Sequence, residues 1–298
     1  MREDIRKIQE MMEAAEYVTD APVATSVHLA MRLRKPMLIE GPAGVGKTEV
    51  AKVMARMLGT NLIRLQCYEG LDASTALYEW NYQKQLLHIK LEEASHDNRA
   101  MVDKEHEIFS ESFLLRRPLL QAITQESQSP VLLVDECDRA DEEFEAFLLE
   151  VFSDWQVTIP EIGTIKATHP PHVVLTSNRT RELSDALRRR CLYLWIDYPT
   201  PDKEIRIIAR KVPGINGRLA REIAKFMETL RQVRLAKVPG VAETLDWAQA
   251  LASLHADHID ETLVGETLGC VLKDVDDMKR FRAEVAKAGL APFLPTPS

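Results

Sequence analysis

The sequence has 298 residues, 45% of them hydrophobic and 28% charged, enough for one large domain or two ordinary ones. A formal net charge of −8 argues against a nucleic-acid binder of the usual basic kind, although local basic patches remain open. The four cysteines (Cys67, Cys137, Cys191, Cys270) are far apart and form no C-x-x-C pair, so they read as free thiols of a reducing compartment. No apolar run approaches the length of a membrane span. The charged start Met1-Arg2-Glu3-Asp4 leads into an amphipathic helix rather than a secretory segment, and the expectation is a cytoplasmic protein.

In chain order, residues 3–18 carry Ile5, Ile8, Met11, Met12, Ala15 and Val18 at helical spacing. A second helix over 24–34 ends before Pro36. Met37-Leu38-Ile39-Glu40 reads as a short buried strand, 41–48 as a glycine loop, and 49–58 as a helix with Val50, Val53, Met54, Met57 and Leu58 on one face. A second strand spans 61–67 and a loop 68–72. Trp80 to Lys90 mixes β and helical character; 91–106 is polar, a solvated helix or a mobile insertion; 113–124 looks helical. Val131 to Asp135 is an apolar run ending in an acid, a buried strand, and 142–152 is a helix. A hairpin fits 155–168, with Pro160 and Gly163 at its turn. Strands follow at 172–177 and 191–196. Strands alternating with helices imply an α/β layer with a parallel sheet sandwiched by helices. After Pro199-Thr200-Pro201 only helices fit, at 202–211, 217–234, 242–254, 260–272 and 274–288, with a loose tail from Pro292. The expected organisation is therefore an α/β domain over 1–200 and an all-helical domain over 201–298.

Gly41-Pro42-Ala43-Gly44-Val45-Gly46-Lys47-Thr48 matches G-x-x-x-x-G-K-[ST] in full and sits between a strand and a helix, the context that motif requires. Its glycines let successive backbone N–H groups point at phosphate oxygens, and the helix N-terminus adds partial positive charge. Lys47 reaches the β and γ phosphates and the Thr48 hydroxyl ligates Mg²⁺. A nucleoside triphosphate is the implied ligand. Asp135, at the end of its strand, adds a carboxylate to the Mg²⁺ shell; Glu136, one residue on, can polarise a water as general base. Asp138, Asp141, Glu142 and Glu143 read as a solvated helix start. Asn178, ending the 172–177 strand, can hydrogen-bond the attacking water or the γ-phosphate, or be a plain polar turn. Arg188-Arg189-Arg190 is either a basic face paired with acids or the source of an arginine finger.

Taken together, these motifs resemble AAA+ ATPases of the MoxR family, most closely its CoxD-like branch. The resemblance covers about residues 20–255. It rests on the loop at Gly41, on Val131-Leu-Leu-Val-Asp-Glu-Cys-Asp-Arg-Ala-Asp, Thr176-Ser-Asn, Asp185-Ala-Leu-Arg-Arg-Arg and Pro239-Gly-Val-Ala-Glu-Thr-Leu. It implies a P-loop NTPase fold with a smaller helical lid, and an ATP-driven ring, usually a hexamer, whose subunits share each ATP site. By position, Lys47 and Thr48 become Walker A, Asp135 and Glu136 Walker B, and Asn178 sensor 1. Arg190 becomes the finger, with Arg189 as fallback. The family's β insertion in helix two would lie around 71–90 and its pre-sensor-1 hairpin around 155–168. The implied partners are a von Willebrand factor A domain protein and a metalloenzyme client; for the CoxD-like branch the client is a molybdenum–copper carbon monoxide dehydrogenase. One departure stands out: Gly240-Val241-Ala242 leads to Glu243-Thr244, with no sensor 2 arginine.

Other features are read more plainly. His255 and His258 lie three apart in a lid helix but lack a third metal ligand. Trp80 and Tyr82 are partner contacts or ordinary β packing. Cys137 is a small buried residue or a redox-sensitive one. Two rival functions share the loop: a P-loop small-molecule kinase, needing an acceptor pocket, and a DNA-acting AAA+ protein, disfavoured by the acidic balance.

Overall fold

A computed structural model describes residues 2–95 and 107–295. The strands are β1 (Met37–Glu40), β2 (Leu62–Gln66), β3 (Tyr78–Trp80), β4 (Leu114–Arg116), β5 (Val131–Asp135), β6 (Gln156–Ile159), β7 (Gly163–Lys166), β8 (His172–Ser177) and β9 (Leu192–Trp195). Five of them form one sheet in the order β2-β5-β8-β1-β9, and the β1–β8, β5–β8 and β2–β5 pairs are parallel. Burial follows position. β1 and β5 are buried at every residue, as central parallel strands covered on both faces must be. β2, at the edge, alternates buried and exposed. This is the α/β P-loop layer expected from the alternation of elements.

By packing, the chain divides into two compact units. One takes in the chain up to Ala24, Gly41–Val53 and the chain from Trp195 onward; the other is Thr25–Glu40 with Met54–Leu194. The first helix and the phosphate loop thus group with the C-terminal helices.

In the sheet unit, Leu132, Val134 and Leu175 pack with Leu119, Leu120 and Ile123 of helix Pro118–Ile123, and with Phe144 and Leu148 of helix Glu142–Asp154. Asp141 caps the latter, accepting from Phe144 N at 2.9 Å. The 155–168 hairpin is present, as β6 paired antiparallel with β7. The 71–90 insertion has a different form from the β insertion expected. Only β3 is strand there; it pairs antiparallel with β4, and helix Tyr82–Ser95 follows it. The 113–124 segment is accordingly not one helix: Leu114–Arg116 is claimed by Tyr78–Trp80, and the helix begins at Pro118, whose missing N–H costs nothing at a first turn. Trp80 is buried, edge-on to Phe109, whereas Tyr82 is exposed. The polar stretch 91–106 is helical as far as Ser95; its remainder lies outside the described residues.

In the other unit, the C-terminal helices are Pro201–Lys211, Gly217–Leu230, Val241–Ser253, Glu261–Val271 and Val275–Ala288. Their core centres on Phe226, whose ring lies 4.7 Å from Trp247, 5.6 Å from Phe281 and 5.4 Å from Phe293. Phe293 belongs to the segment read as a loose tail. Its aromatic contacts and a short 3-10 turn, Ala291–Phe293, tie that segment down as far as Leu294. His255 lies past the end of its helix, with φ of 55°, so the two histidines share no helical face.

Phe226→Ala should destabilise the protein by about 3–5 kcal/mol, since it opens a cavity among three aromatic rings. Leu254→Ala, at an exposed position, should stay within about 0.5 kcal/mol of wild type in the same denaturant titration.

Candidate functional site

The parallel strands β5 and β8 end side by side, and their ends carry the chemistry. Thr176 joins them. Its hydroxyl donates to Asp135 Oδ1 at 2.5 Å and accepts from Glu136 N at 2.9 Å. The other Asp135 oxygen takes Arg64, with Nε at 3.0 Å and Nη2 at 2.6 Å. Arg64 sits on neighbouring β2, in register with Leu133. Asp135 is thus a buried carboxylate that already attracts a cation, which suits a group meant to stand beside a metal.

Glu136 adopts the left-handed conformation, with φ of 55° and ψ of 48°. A non-glycine residue held there is strained, and such strain gathers at functional positions. Gln66 Nε2 donates to Glu136 Oε2 at 3.2 Å, and Arg139 pairs with the same oxygen at 3.0 Å. The next residue, Cys137, is buried and donates from Sγ to Thr176 O at 3.0 Å. Burial, above all, raises its thiol well above the ordinary cysteine range, so it is the inert packing residue of the two readings, not a redox-sensitive one.

Asp138 is not part of a solvated helix start. It is buried and accepts from Asn178 N (3.2 Å), Thr180 N (2.8 Å) and Thr180 Oγ1 (2.7 Å). It therefore fixes the loop that presents Asn178. The acid-rich run around it hid that role in the sequence, because only the tertiary fold separates Asp138 from its exposed neighbours. Arg64 was missed for a similar reason: an arginine on an edge strand carries no local signal.

The arginine triplet, in helix Asp185–Arg190, points three ways. Arg188 stands 3.9 Å from buried Glu40 and lies over the Tyr193 ring. Arg189 is 84% exposed, at 4.0 Å from Asp185. Arg190 donates to Leu149 O (2.8 Å) and Ser153 Oγ (3.0 Å) of its own chain.

In the unit that holds the phosphate loop, the Lys47 ammonium is buried and donates to Gly41 O at 2.9 Å and Pro42 O at 2.6 Å. Gly46 has φ of +92°, and a Cβ there would meet nothing within 4 Å, so the loop keeps open space at its inner turn. A buried ammonium beside such a curl fits a phosphate chain, and Thr48 follows it at the start of helix Lys47–Leu58. Glycine is also needed at Gly240. A Cβ there would lie 2.7 Å from Ala43 O and 2.8 Å from the Gly44 backbone. Gly44 O accepts from Val241 N (2.9 Å) and Ala242 N (3.3 Å), while Glu243 Oε2 accepts from Gly240 N at 2.8 Å. Where a sensor 2 arginine was sought, the chain instead docks a helix N-terminus on the loop through backbone groups. Arg231 braces that segment: it pairs with buried Glu204 through two 2.7 Å contacts and donates to Pro239 O at 3.0 Å.

Residues 36–191 match the model of the AAA domain, dynein-related subfamily, over more than half of the chain. The chain belongs to that family. The chain is also similar to an uncharacterised protein of Staphylococcus haemolyticus, 25% identical over 79% of this chain and 82% of that one. An uncharacterised protein of Staphylococcus epidermidis is 24% identical over 74% of this chain and 78% of its own length. Among solved structures, a variant of RuvB from Thermotoga maritima superposes with a TM-score of 0.51 at 19% identity, covering 96% of this chain and 76% of that one. A second RuvB variant gives 0.51 at 19%, covering 90% and 74%. These likenesses establish a P-loop AAA+ fold, a nucleotide-binding architecture. No helix among the described residues is long and apolar enough to cross a membrane.

Gly240→Ala should force the loop and the Val241 helix apart and lower thermal stability, with overpacking costing on the order of 1–3 kcal/mol. Gly217→Ala, whose Cβ would meet only the Arg221 side chain at 3.8 Å, should leave the melting temperature unchanged or raise it.

Proposed function

We propose that this AAA+ protein binds ATP with Mg²⁺, hydrolyses it to ADP and phosphate, and uses the cycle to remodel a client protein. The observation that carries the reading is Glu136: a strained carboxylate held by Gln66 and Arg139, one residue past the buried Asp135. Support comes also from the complete phosphate loop, Gly41 to Thr48, with its buried Lys47. The family's motif order assigns both sets of residues to one nucleotide.

In this reading the loop backbone from Gly41 through Gly46 binds phosphate oxygens, and Lys47 neutralises charge on the β and γ phosphates. Thr48 and Asp135 would hold Mg²⁺, which neutralises charge on the phosphates when bound. Glu136 orients a water and accepts its proton as the oxygen attacks the γ-phosphorus; Asn178 fixes that water's direction. An arginine from a neighbouring subunit stabilises the transition-state charge. Arg190 holds that role by alignment. Arg189 is the more exposed of the two and needs no intrachain contact broken beyond a 4.0 Å ion pair on the helix surface.

The finer reading places the chain in the MoxR family, in its CoxD-like branch. The domains are then the nucleotide-binding domain over 1–200 and the lid over 201–298, in a homo-hexameric ring in the cytoplasm. The partners are a von Willebrand factor A domain protein and a metalloenzyme client, with maturation of a molybdenum–copper carbon monoxide dehydrogenase as the specific instance. The sequence motifs support this branch.

Glu136→Gln should retain ATP binding and lose turnover by at least about a hundredfold. Hydrolysis at the wild-type rate in a phosphate-release assay would remove Glu136 from the mechanism. Lys47→Ala should abolish binding of a fluorescent ATP analogue. Doping wild-type protein with the Arg190→Ala or the Arg189→Ala chain should depress ATPase activity more than in proportion to the fraction added, for whichever arginine acts across subunits. Linear dilution by both variants would exclude a shared site.

A further inference from the structure

We propose that His88, Glu92 and Glu107 form a binding site for a transition-metal dication of the Zn²⁺ class, separate from the nucleotide chemistry and built into the 71–113 insertion. His88 and Glu92 stand four residues apart on helix Tyr82–Ser95, so their side chains share one face. Glu107 arrives from the far side of the insertion. One ligand atom from each of the three residues lies within 4.8 Å of the others.

The distances carry the argument. His88 Nε2 is 3.3 Å from Glu107 Oε1 and 3.5 Å from Glu92 Oε1. The atom is buried, yet among the described residues it makes no hydrogen bond with either carboxylate or with any other group. A ring nitrogen taken out of water without a partner is costly. A nitrogen flanked by two carboxylates but donating to neither wants a third body between them. A tetrahedral zinc ion with bonds of about 2.0–2.1 Å sets its ligand atoms about 3.3–3.4 Å apart. One Nε2 distance falls at that spacing and the other just beyond it, whereas a direct N–H···O bond would close to about 2.9 Å.

Chemistry and scaffold agree. One imidazole and two carboxylates make a mixed nitrogen and oxygen set, which favours zinc and its first-row neighbours over Mg²⁺ or Ca²⁺. Two carboxylates offer oxygen donors to a dication, and three protein ligands leave a fourth position for water or for a donor from a partner. The His88 ring is held in place edge-on against Phe113, 5.3 Å between centroids. Phe113 is buried just before β4, so the site ties the helix Tyr82–Ser95 to the base of the β3–β4 pair. The metal would therefore add a tie to a helix that Gln85, donating to Ile108 O at 2.7 Å, and Lys84, donating to Ser112 O at 2.6 Å, already hold against the same segment.

The test uses the full chain, stripped with chelator and free of nucleotide. Titration with Zn²⁺, and with Co²⁺ as a spectroscopic substitute, should give one ion per chain and a Co²⁺ visible spectrum of tetrahedral type without thiolate-to-metal charge transfer. His88→Ala and Glu107→Gln should each weaken binding at least about tenfold while leaving far-UV circular dichroism unchanged. Lys47→Ala should bind Zn²⁺ as wild type does. Added Zn²⁺ should also slow hydrogen exchange across residues 82–92 in the wild type and not in the His88 variant. Unaltered stoichiometry in both ligand variants, a thiolate charge-transfer band, or the absence of any ion at micromolar protein would overturn the proposal.

Discussion

Two hydrogen bonds at one hydroxyl set the business end of the sheet. Thr176 Oγ1 donates to the Asp135 carboxylate and accepts from the Glu136 backbone N–H. The first is a bond to a charged group, a kind worth about 1.5–3 kcal/mol, the second a neutral bond worth about 0.5–1.5 kcal/mol, and both fall on neighbouring residues of one strand end. The first aims a carboxylate in a site where it is buried; the second holds the peptide that turns Glu136 into the left-handed region. A valine would fill the same volume and supply neither bond. The parallel β5–β8 pairing makes the bridge possible, because it places Thr176 beside the strand end that carries both acids.

Around that bridge the acids are countered from their own sheet. Arg64 meets Asp135, and Gln66 and Arg139 meet Glu136. Two of these three partners come from β2, the exposed edge strand whose outward residues alternate into the site's rim. A protein of net charge −8 thus keeps the Asp135 and Glu136 carboxylates in a locally balanced field. Cys67, at the end of the same strand, feels the other side of that arrangement: burial first, then the charge of Asp135, push its thiol up to about 12, so it stays protonated.

What could be read from the sequence depended on the range of the forces involved. β1, β5 and β8 announced themselves because strands buried on both faces must be apolar throughout, and the C-terminal helices because their periodicity and caps are local. The phosphate loop was legible for the same reason: its function needs a fixed local string. β4 was lost because its three residues pair with Tyr78–Trp80, far away in the chain, and that pairing overrides a helical pattern. Asp138, Arg64 and Thr176 act through neighbours forty or more positions distant, or seventy in the case of Arg64, and nothing in their immediate surroundings distinguishes them from surface polar residues. The tail was misjudged because its three prolines suggest a loose segment, while Phe293 has two buried rings, Phe226 and Phe281, within reach.

The absent sensor 2 arginine has a structural counterpart of another kind. A side chain reaching a ligand reports on that ligand alone. A helix N-terminus whose N–H groups bind Gly44 O reports on the backbone of the phosphate loop itself. Gly240 makes the approach sterically possible, Glu243 fixes the turn, and the buried Arg231–Glu204 pair, shared with Thr244, keeps the segment from drifting. Breaking one partner of such a buried pair leaves an uncompensated charge, so the brace is stiff. Main-chain bonds thus join the phosphate loop directly to the N-terminus of helix Val241–Ser253.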